Sequence, residues 1–160
     1  MTKISTILDR EIVYAKYDTR KSWISEFPNK NWCLLIIAEQ ANKRYFSEII
    51  SKAIDRNVGY ICGIGKQHNL IHNIADDEIQ FRDADIEKHY LPNHTIMTVG
   101  EEDFEEGLWE GIFITHNLET DIDTIVILDV TKTAFPKVNE LIKKYNKGYL
   151  PDGKPAGNSK

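Results

Sequence analysis

The residues best suited to metal chemistry are two histidines and an aspartate on one predicted helix. His68, His72 and Asp76 follow one another at intervals of four, which places them on one helix face. Two imidazoles and a carboxylate form a donor set that Zn²⁺ accepts. No glutamate stands beside His68 to act as a base, however, and the same spacing describes a solvated face opposite Leu70 and Ile71. We therefore predict no metal site here.

A Gly-x-Gly sequence at the end of a predicted strand suggests phosphate binding. Gly63 and Gly65 come just before a predicted helix, where backbone N–H groups can bind an anion. The third glycine of the dinucleotide-binding pattern is replaced by His68, and Lys66 is followed by Gln67 rather than by a hydroxyl residue. The pattern therefore favours a tight strand-to-helix turn, and we predict no cofactor.

The two cysteines are candidate nucleophiles that the sequence argues against. Cys62 could pair with His68 or His72, but both Cys62 and Cys33 stand inside apolar runs. Burial raises the pKa of a thiol and makes it unreactive. Buried free thiols are typical of proteins in a reducing cytoplasm, which we predict as the location.

Asp129 is the carboxylate with the most unusual setting, because it ends an apolar run. The carboxyl ends of parallel strands are where ligands bind in open α/β sheets, so Asp129 is one candidate for a ligand site. The alternative, which we favour, is that its side chain caps the turn at 131–133. No Gly-x-Ser-x-Gly motif is present. We predict no catalytic residue.

The apolar pattern predicts an α/β fold. Four runs read as strands covered on both faces: 32–38, 58–64, 95–99 and 124–130. Apolar residues at helical spacing predict helices over 42–57, 67–75, 101–117 and 135–145, with Asn42 as an N-cap and Asn57 in a left-handed conformation. Residues 11–17 are an additional candidate edge strand, and 76–93 reads as a connecting segment.

These elements predict one three-layer domain over residues 1–145, with a mostly parallel sheet of four to five strands and helices on both faces. Residues 146–160, rich in lysine, glycine and proline, are predicted to be a disordered basic tail. No apolar run approaches the roughly 20 residues of a spanning helix, so we expect no membrane association.

Charge is strongly segregated along the chain. Residues 89–131 carry ten acidic residues and no lysine or arginine, whereas the following 29 residues carry seven lysines and two acids. Such an acidic stretch attracts a basic partner and repels nucleic-acid phosphates. The predicted partner-binding residues are Glu101, Glu102, Asp103, Glu105, Glu106, Trp109, Glu110, Asp121 and Asp123.

Three segments, YICGIGKQHNLIHNIADDEI, HTIMTVGEEDFEEGLWEGIFITHN and TIVILDV, resemble a group of uncharacterised bacterial α/β domains. In size, acidity and lack of motifs the chain also resembles immunity proteins of bacterial toxin systems, especially those of contact-dependent growth inhibition. That likeness implies a cytoplasmic, non-enzymatic inhibitor of a basic toxin such as a nuclease. The alternative is a small-molecule-binding or enzymatic domain with its site at the strand ends, at Gly63–Lys66, Gly100 and Asp129.

Overall fold

Six strands form one sheet, and its three central strands are apolar on both faces, so that helices can cover them on both sides. The computed structural model describes residues 1–20, 22–84, 87 and 89–151. Its strands are β1 (Thr2–Ile7), β2 (Arg10–Lys16), β3 (Trp32–Ile37), β4 (Val58–Ile64), β5 (Met97–Glu101) and β6 (Thr124–Asp129). The order across the sheet is β1-β2-β6-β3-β4-β5. Only β1 and β2 are antiparallel, and every other neighbouring pair is parallel.

Four helices cover the two faces of the sheet. They are α1 (Lys43–Ile54), α2 (His68–Ala84), α3 (Phe104–Phe113) and α4 (Phe135–Tyr145). Helices α1 and α2 pack on one core cluster, together with Leu34 and Ile36 of β3. Helices α3 and α4 pack on the other cluster, with Leu35 and Ile37 of the same strand. The predicted three-layer, mostly parallel α/β domain is thus confirmed, although the sheet has six strands rather than four to five.

The chain reverses its direction of travel across the sheet between β3 and β6. From β3 the chain moves outward through β4 to β5, and then returns through α3 to place β6 on the other side of β3. The connections that leave β3 and β6 therefore diverge, which opens a crevice at their carboxyl ends. Such a topological switch point is the usual ligand position in open α/β sheets.

Strand β1 is the part of the sheet that the sequence does not predict, whereas the strand predicted over 11–17 is present as β2. Strand β1 pairs with β2 through a turn at Leu8 and Asp9, and both residues have positive φ, 50° and 62°. A two-residue turn with this backbone fits the twist of a hairpin, but it usually contains glycine. Because β1 occupies the edge, β2 is not the edge strand predicted for 11–17.

Helix α2 is longer than predicted. It continues to Ala84, so residues 76–84 are helical and not a connecting segment. Arg82 explains why this polar part stays helical: its guanidinium is nearly buried and donates to Asp55, Glu78 and both oxygens of Ser51. These contacts tie the end of α2 to α1.

The other predicted boundaries agree with the structure to within a few residues. Asn42 caps α1 by accepting a hydrogen bond from the Tyr45 N–H, and Asn57 has a φ of 57°. Strand β5 begins two residues later than predicted, and α3 is shorter than the predicted 101–117. Most of the predicted tail, 152–160, lies outside the described residues. Among the described residues, no helix has both the length and the apolarity needed to cross a membrane.

Candidate functional site

Two cavities lie at the carboxyl edge of the parallel strands, on either side of the loop that follows β6. The smaller, here the switch-point cavity, has a volume of about 390 Å³. The residues that line it are Glu39, Gln40, Asn42, Tyr45, Val130, Thr131 and Thr133. The larger cavity, about 680 Å³, lies at the end of β2, and its lining includes Tyr14, Lys16, Tyr17, Lys132 and Phe135. The switch-point cavity therefore coincides with the crevice that the strand order creates, and the larger cavity lies beside it.

Asp129 shapes the loop between the cavities. Its carboxylate is completely buried and accepts hydrogen bonds from the Tyr14 hydroxyl (2.6 Å), the Thr131 hydroxyl (2.6 Å), and the N–H groups of Lys132 (2.9 Å) and Ala134 (2.8 Å). The sequence prediction that Asp129 caps the 131–133 turn is confirmed. The cap also holds Lys132 at a φ of 66°, so that Lys132 borders one cavity while Thr131 and Thr133 border the other.

Three tyrosine side chains are buried, and we call them the buried tyrosines: Tyr14, Tyr17 and Tyr145. The first two lie near the carboxyl edge of the sheet, and the third lies on α4 where it meets α3. Desolvation by burial is the main cause that raises the pKa of each hydroxyl above its usual value. A neighbouring carboxylate adds to the effect, because Tyr14 donates to Asp129 and Tyr17 donates to Glu48. These hydroxyls are therefore neutral hydrogen-bond donors at physiological pH.

The glycines at the predicted strand-end site serve close packing and a turn. A Cβ atom on Gly63 or Gly100 would lie 2.9 Å from the His68 carbonyl oxygen, so both glycines let α2 approach the sheet. Gly65 has a φ of 93°, and its carbonyl oxygen contacts the His68 N–H and Nδ1. The predicted strand-to-helix turn is confirmed at Gly65. Gly63 and Gly100 lie against α2 and not beside an open cavity.

The two helix histidines, His68 and His72, do not converge on a common point with other donors. The His68 Nδ1 lies 3.0 Å from the Gly65 carbonyl oxygen, and the His72 Nε2 lies 3.5 Å from an Asp76 carboxylate oxygen. In the described part of the chain, no group of three or more His, Cys, Asp or Glu side chains is arranged to hold a metal ion.

Both cysteines are free and buried, as the sequence predicts. Desolvation raises the pKa of Cys62 to about 12, and it raises that of Cys33 well above the ordinary thiol value. Negative charge at Glu110 and Glu101 adds to the shift at Cys62. Neither thiol is a thiolate near neutral pH, so neither is an activated nucleophile in this structure.

The nine predicted partner-binding residues fall into two separate regions. Glu101 ends β5, Glu102 follows it, Asp103 caps α3, and Glu105 and Glu106 form the first turn of α3. The expectation that the acids at 101–103 lie inside the first helical turn is thus wrong. Asp121 and Asp123 precede β6, so they lie at the amino-terminal ends of the strands, whereas the other group lies at the carboxyl end of β5. Strands of typical length separate these two ends by roughly 17–20 Å.

Four of these acids follow one another closely in sequence at the carboxyl end of β5, and we call them the acidic corner: Glu101, Glu102, Asp103 and Glu106. The Asp103 N–H donates to Glu101 Oε1 (3.0 Å), and the Glu106 N–H donates to Asp103 Oδ1 (2.8 Å). Glu102 and Asp103 are exposed to solvent. The corner adjoins β5, which is the last strand of the sheet.

The fold brings basic residues of α4 close to α3. The Lys137 Nζ lies 4.3 Å from the centroid of the Phe104 ring, and Lys144 lies on α4 near Glu105. Glu105 itself accepts a hydrogen bond from the Tyr149 hydroxyl. Trp109 is half-buried and stacks on Phe113. The charge segregation seen along the sequence is therefore partly reversed in space, and these contacts fall on Phe104 and Glu105, directly beside the acidic corner.

The architecture defines a class: an α/β domain with a mostly parallel six-stranded sheet, a switch-point crevice and an acidic corner at one sheet edge. Within that class, the chain belongs to the family described as the DUF7684 domain of unknown function, which matches residues 12–147. No curated protein and no solved structure matches the chain.

Proposed function

We propose that this chain is a non-enzymatic cytoplasmic protein that neutralises a basic toxin, most concretely a nuclease, by direct binding. The observation that carries the proposal is the position of the acidic corner beside the open edge of β5. An inhibitor that presents carboxylates where a nuclease expects phosphates would occupy the positively charged cleft of the enzyme. The charge pattern supports a basic partner and disfavours nucleic acid.

The edge of β5 offers the partner a second kind of contact. An edge strand presents backbone N–H and C=O groups that an additional strand can bind. Met97 and Gly100 of β5 are exposed, so this edge is accessible from solvent. A partner segment that is extended and basic would therefore bind the strand edge and the acidic corner together. Charge would steer its approach, and backbone hydrogen bonds would fix its register.

Two residues near the corner limit which acids contribute to binding. Glu105 is engaged by Tyr149, so we assign it a structural role in holding α4 and the following segment against α3. Lys66 follows the Gly65 turn near the corner, but its ammonium group lies 3.7 Å from a carboxylate oxygen of Glu39, on the other side. The negative charge of Glu102 and Asp103 is therefore not neutralised by Lys66.

The proposal is tested by identifying the product of the neighbouring gene and by measuring whether this chain protects cells against it. We expect that gene to encode a basic toxin domain, and we expect co-expression of this chain to restore growth of cells that produce the toxin. A neighbouring product that is not toxic, or a toxin whose effect on growth is unchanged by this chain, would contradict the proposal. A Leu118→Ser variant, altered at an exposed side chain away from the corner, serves as the control and should protect fully.

A second candidate function is a small-molecule-binding or enzymatic domain with its site at the carboxyl ends of the strands. The observation that favours it is the switch-point cavity between β3 and β6, whose position is the usual one for ligands in such sheets. The glycine turn and Gly100 do not contribute to this cavity, whereas Asp129 contributes indirectly by fixing the loop that forms one wall.

A further inference from the structure

The chemistry of the switch-point cavity indicates what kind of molecule would fill it. Among the described residues that line it, Glu39 is the charged one; the others supply two amides, two threonine hydroxyls, a phenol and one apolar side chain. The Lys66 ammonium group lies 3.7 Å from one oxygen of the Glu39 carboxylate, but both side chains are exposed and water screens this ion pair. The carboxylate therefore still disfavours an anionic ligand. A purely apolar ligand would leave these polar groups without partners, which is costly.

Neutral hydroxyl groups match this set of side chains. A carboxylate accepts hydrogen bonds from hydroxyl groups, and side-chain amides both donate and accept. Gln40 and Asn42 provide such amides, and the Asn42 oxygen already accepts the Tyr45 N–H, which leaves its NH₂ group directed to other acceptors. The ring of Tyr45 adds a flat wall, held by its contact with Tyr17 at 5.1 Å between ring centroids.

The walls of the cavity are fixed before any ligand arrives. One wall is the start of α1, which Asn42 caps. The other is the loop whose Thr131 hydroxyl donates to the buried Asp129 and lies 3.1 Å from the Thr133 hydroxyl oxygen. A volume of about 390 Å³ lies at the small end of the range for ligand pockets, roughly 300–1,000 Å³. Fixed polar walls reduce the entropic cost of binding.

We propose that the switch-point cavity binds a small, uncharged polyhydroxylated molecule, of the size of a monosaccharide or nucleoside, with Glu39 and Thr133 as hydrogen-bond partners of its hydroxyl groups. This inference rests on the second candidate function and gives it a ligand class. The Thr131 hydroxyl proton is committed to Asp129, so Thr133 is the donor in the 3.1 Å contact between the two hydroxyls, and the Thr133 oxygen is left to accept a hydrogen bond from a ligand hydroxyl.

The test is an NMR titration of the full chain that follows the threonine methyl groups and the side-chain amides of Gln40 and Asn42. The probes are D-ribose and adenosine, with inorganic phosphate and methylamine as charged comparison compounds. We expect saturable shifts of these signals with ribose or adenosine. We expect Glu39→Gln and Thr133→Val each to weaken binding about tenfold, equivalent to about 1.4 kcal/mol. Glu140→Gln, on an exposed face of α4, is the matched control and should bind normally.

The possible failures are distinguishable. Saturable shifts with phosphate or methylamine alone would overturn the ligand class while leaving a ligand site at this cavity. No shift with any of the four probes would overturn the inference and remove the support for the second candidate function. Binding of ribose or adenosine that is unaffected by both Glu39→Gln and Thr133→Val would place the ligand elsewhere and would also overturn the inference.

Discussion

Replacing Asp129 by asparagine should destabilise the protein by about 2–4 kcal/mol. All four partners of its carboxylate are donors, and the N–H groups of Lys132 and Ala134 bind different oxygens. The Tyr14 and Thr131 hydroxyls can rotate, but the backbone N–H groups cannot. Either orientation of the new amide therefore sets its NH₂ group against one N–H. An unsatisfied buried donor costs about 1–3 kcal/mol, and the remaining bonds lose their charged acceptor.

Urea denaturation measures this loss and its origin. Tyr14→Phe removes one donor and should cost about 1–2 kcal/mol, since it leaves part of a buried carboxylate without a partner. The double variant should cost less than the sum of the two single losses, because the residues interact directly. Asp123→Asn, an exposed aspartate just before the same strand, should change stability by less than about 0.5 kcal/mol. A loss below about 1 kcal/mol for Asp129→Asn would refute this account of the loop.

Three further predictions concern other parts of the molecule. Arg82→Met should lower stability by about 1.5–3 kcal/mol in urea denaturation because it removes the charged hydrogen bonds by which the buried guanidinium ties α2 to α1, whereas Arg20→Met, whose guanidinium is exposed, should cause no measurable loss. The buried tyrosines have raised pKa values in the folded state, so their contribution to stability is fully present below about pH 10 and is lost above it. The loss is about 1.4 kcal/mol per pH unit for each tyrosine that ionises only on unfolding. Unfolding curves at alkaline pH, with tyrosinate absorbance, measure this slope, and a stability that does not change with pH in this range would contradict the prediction. Protein purified without chelator should contain no stoichiometric zinc at the two helix histidines, and elemental analysis that finds about one zinc ion per chain would show the opposite.

The sequence predicts those elements whose apolar pattern is continuous. Strands β3, β4 and β6 and helices α1 and α4 agree closely with prediction because each has a clear apolar run or stripe. Strand β1 is mostly exposed and polar, and its turn at Leu8 and Asp9 lacks glycine, so neither its pattern nor its turn is recognisable. The end of α2 depends on the long-range contacts of Arg82, which no local pattern reveals.

Some features of the candidate site were likewise predictable from the sequence, and others were not. The role of Asp129 was predictable because a carboxylate at the end of an apolar strand requires donors, and the following turn provides them. The switch-point cavity was not predictable from residue types, since Glu39 and Thr133 are ordinary surface residues in sequence and are brought together only by the insertion of β6 beside β3. The division of the acids between the two ends of the strands likewise follows from the length of α3 and the course of the chain after it.

The most direct test of the proposed toxin binding compares two substitutions that change the net charge equally. Glu102→Lys alters the acidic corner, whereas Asp121→Lys alters an exposed acid at the opposite, amino-terminal ends of the strands. Stopped-flow association with the purified toxin from the neighbouring gene would be measured at ionic strengths of about 0.01 M and 1 M, where charges act over about 30 Å and 3 Å. We predict that the association rate falls with salt and falls much more for Glu102→Lys than for Asp121→Lys. Equal effects of the two substitutions, or a rate that is independent of salt, would contradict binding at the acidic corner.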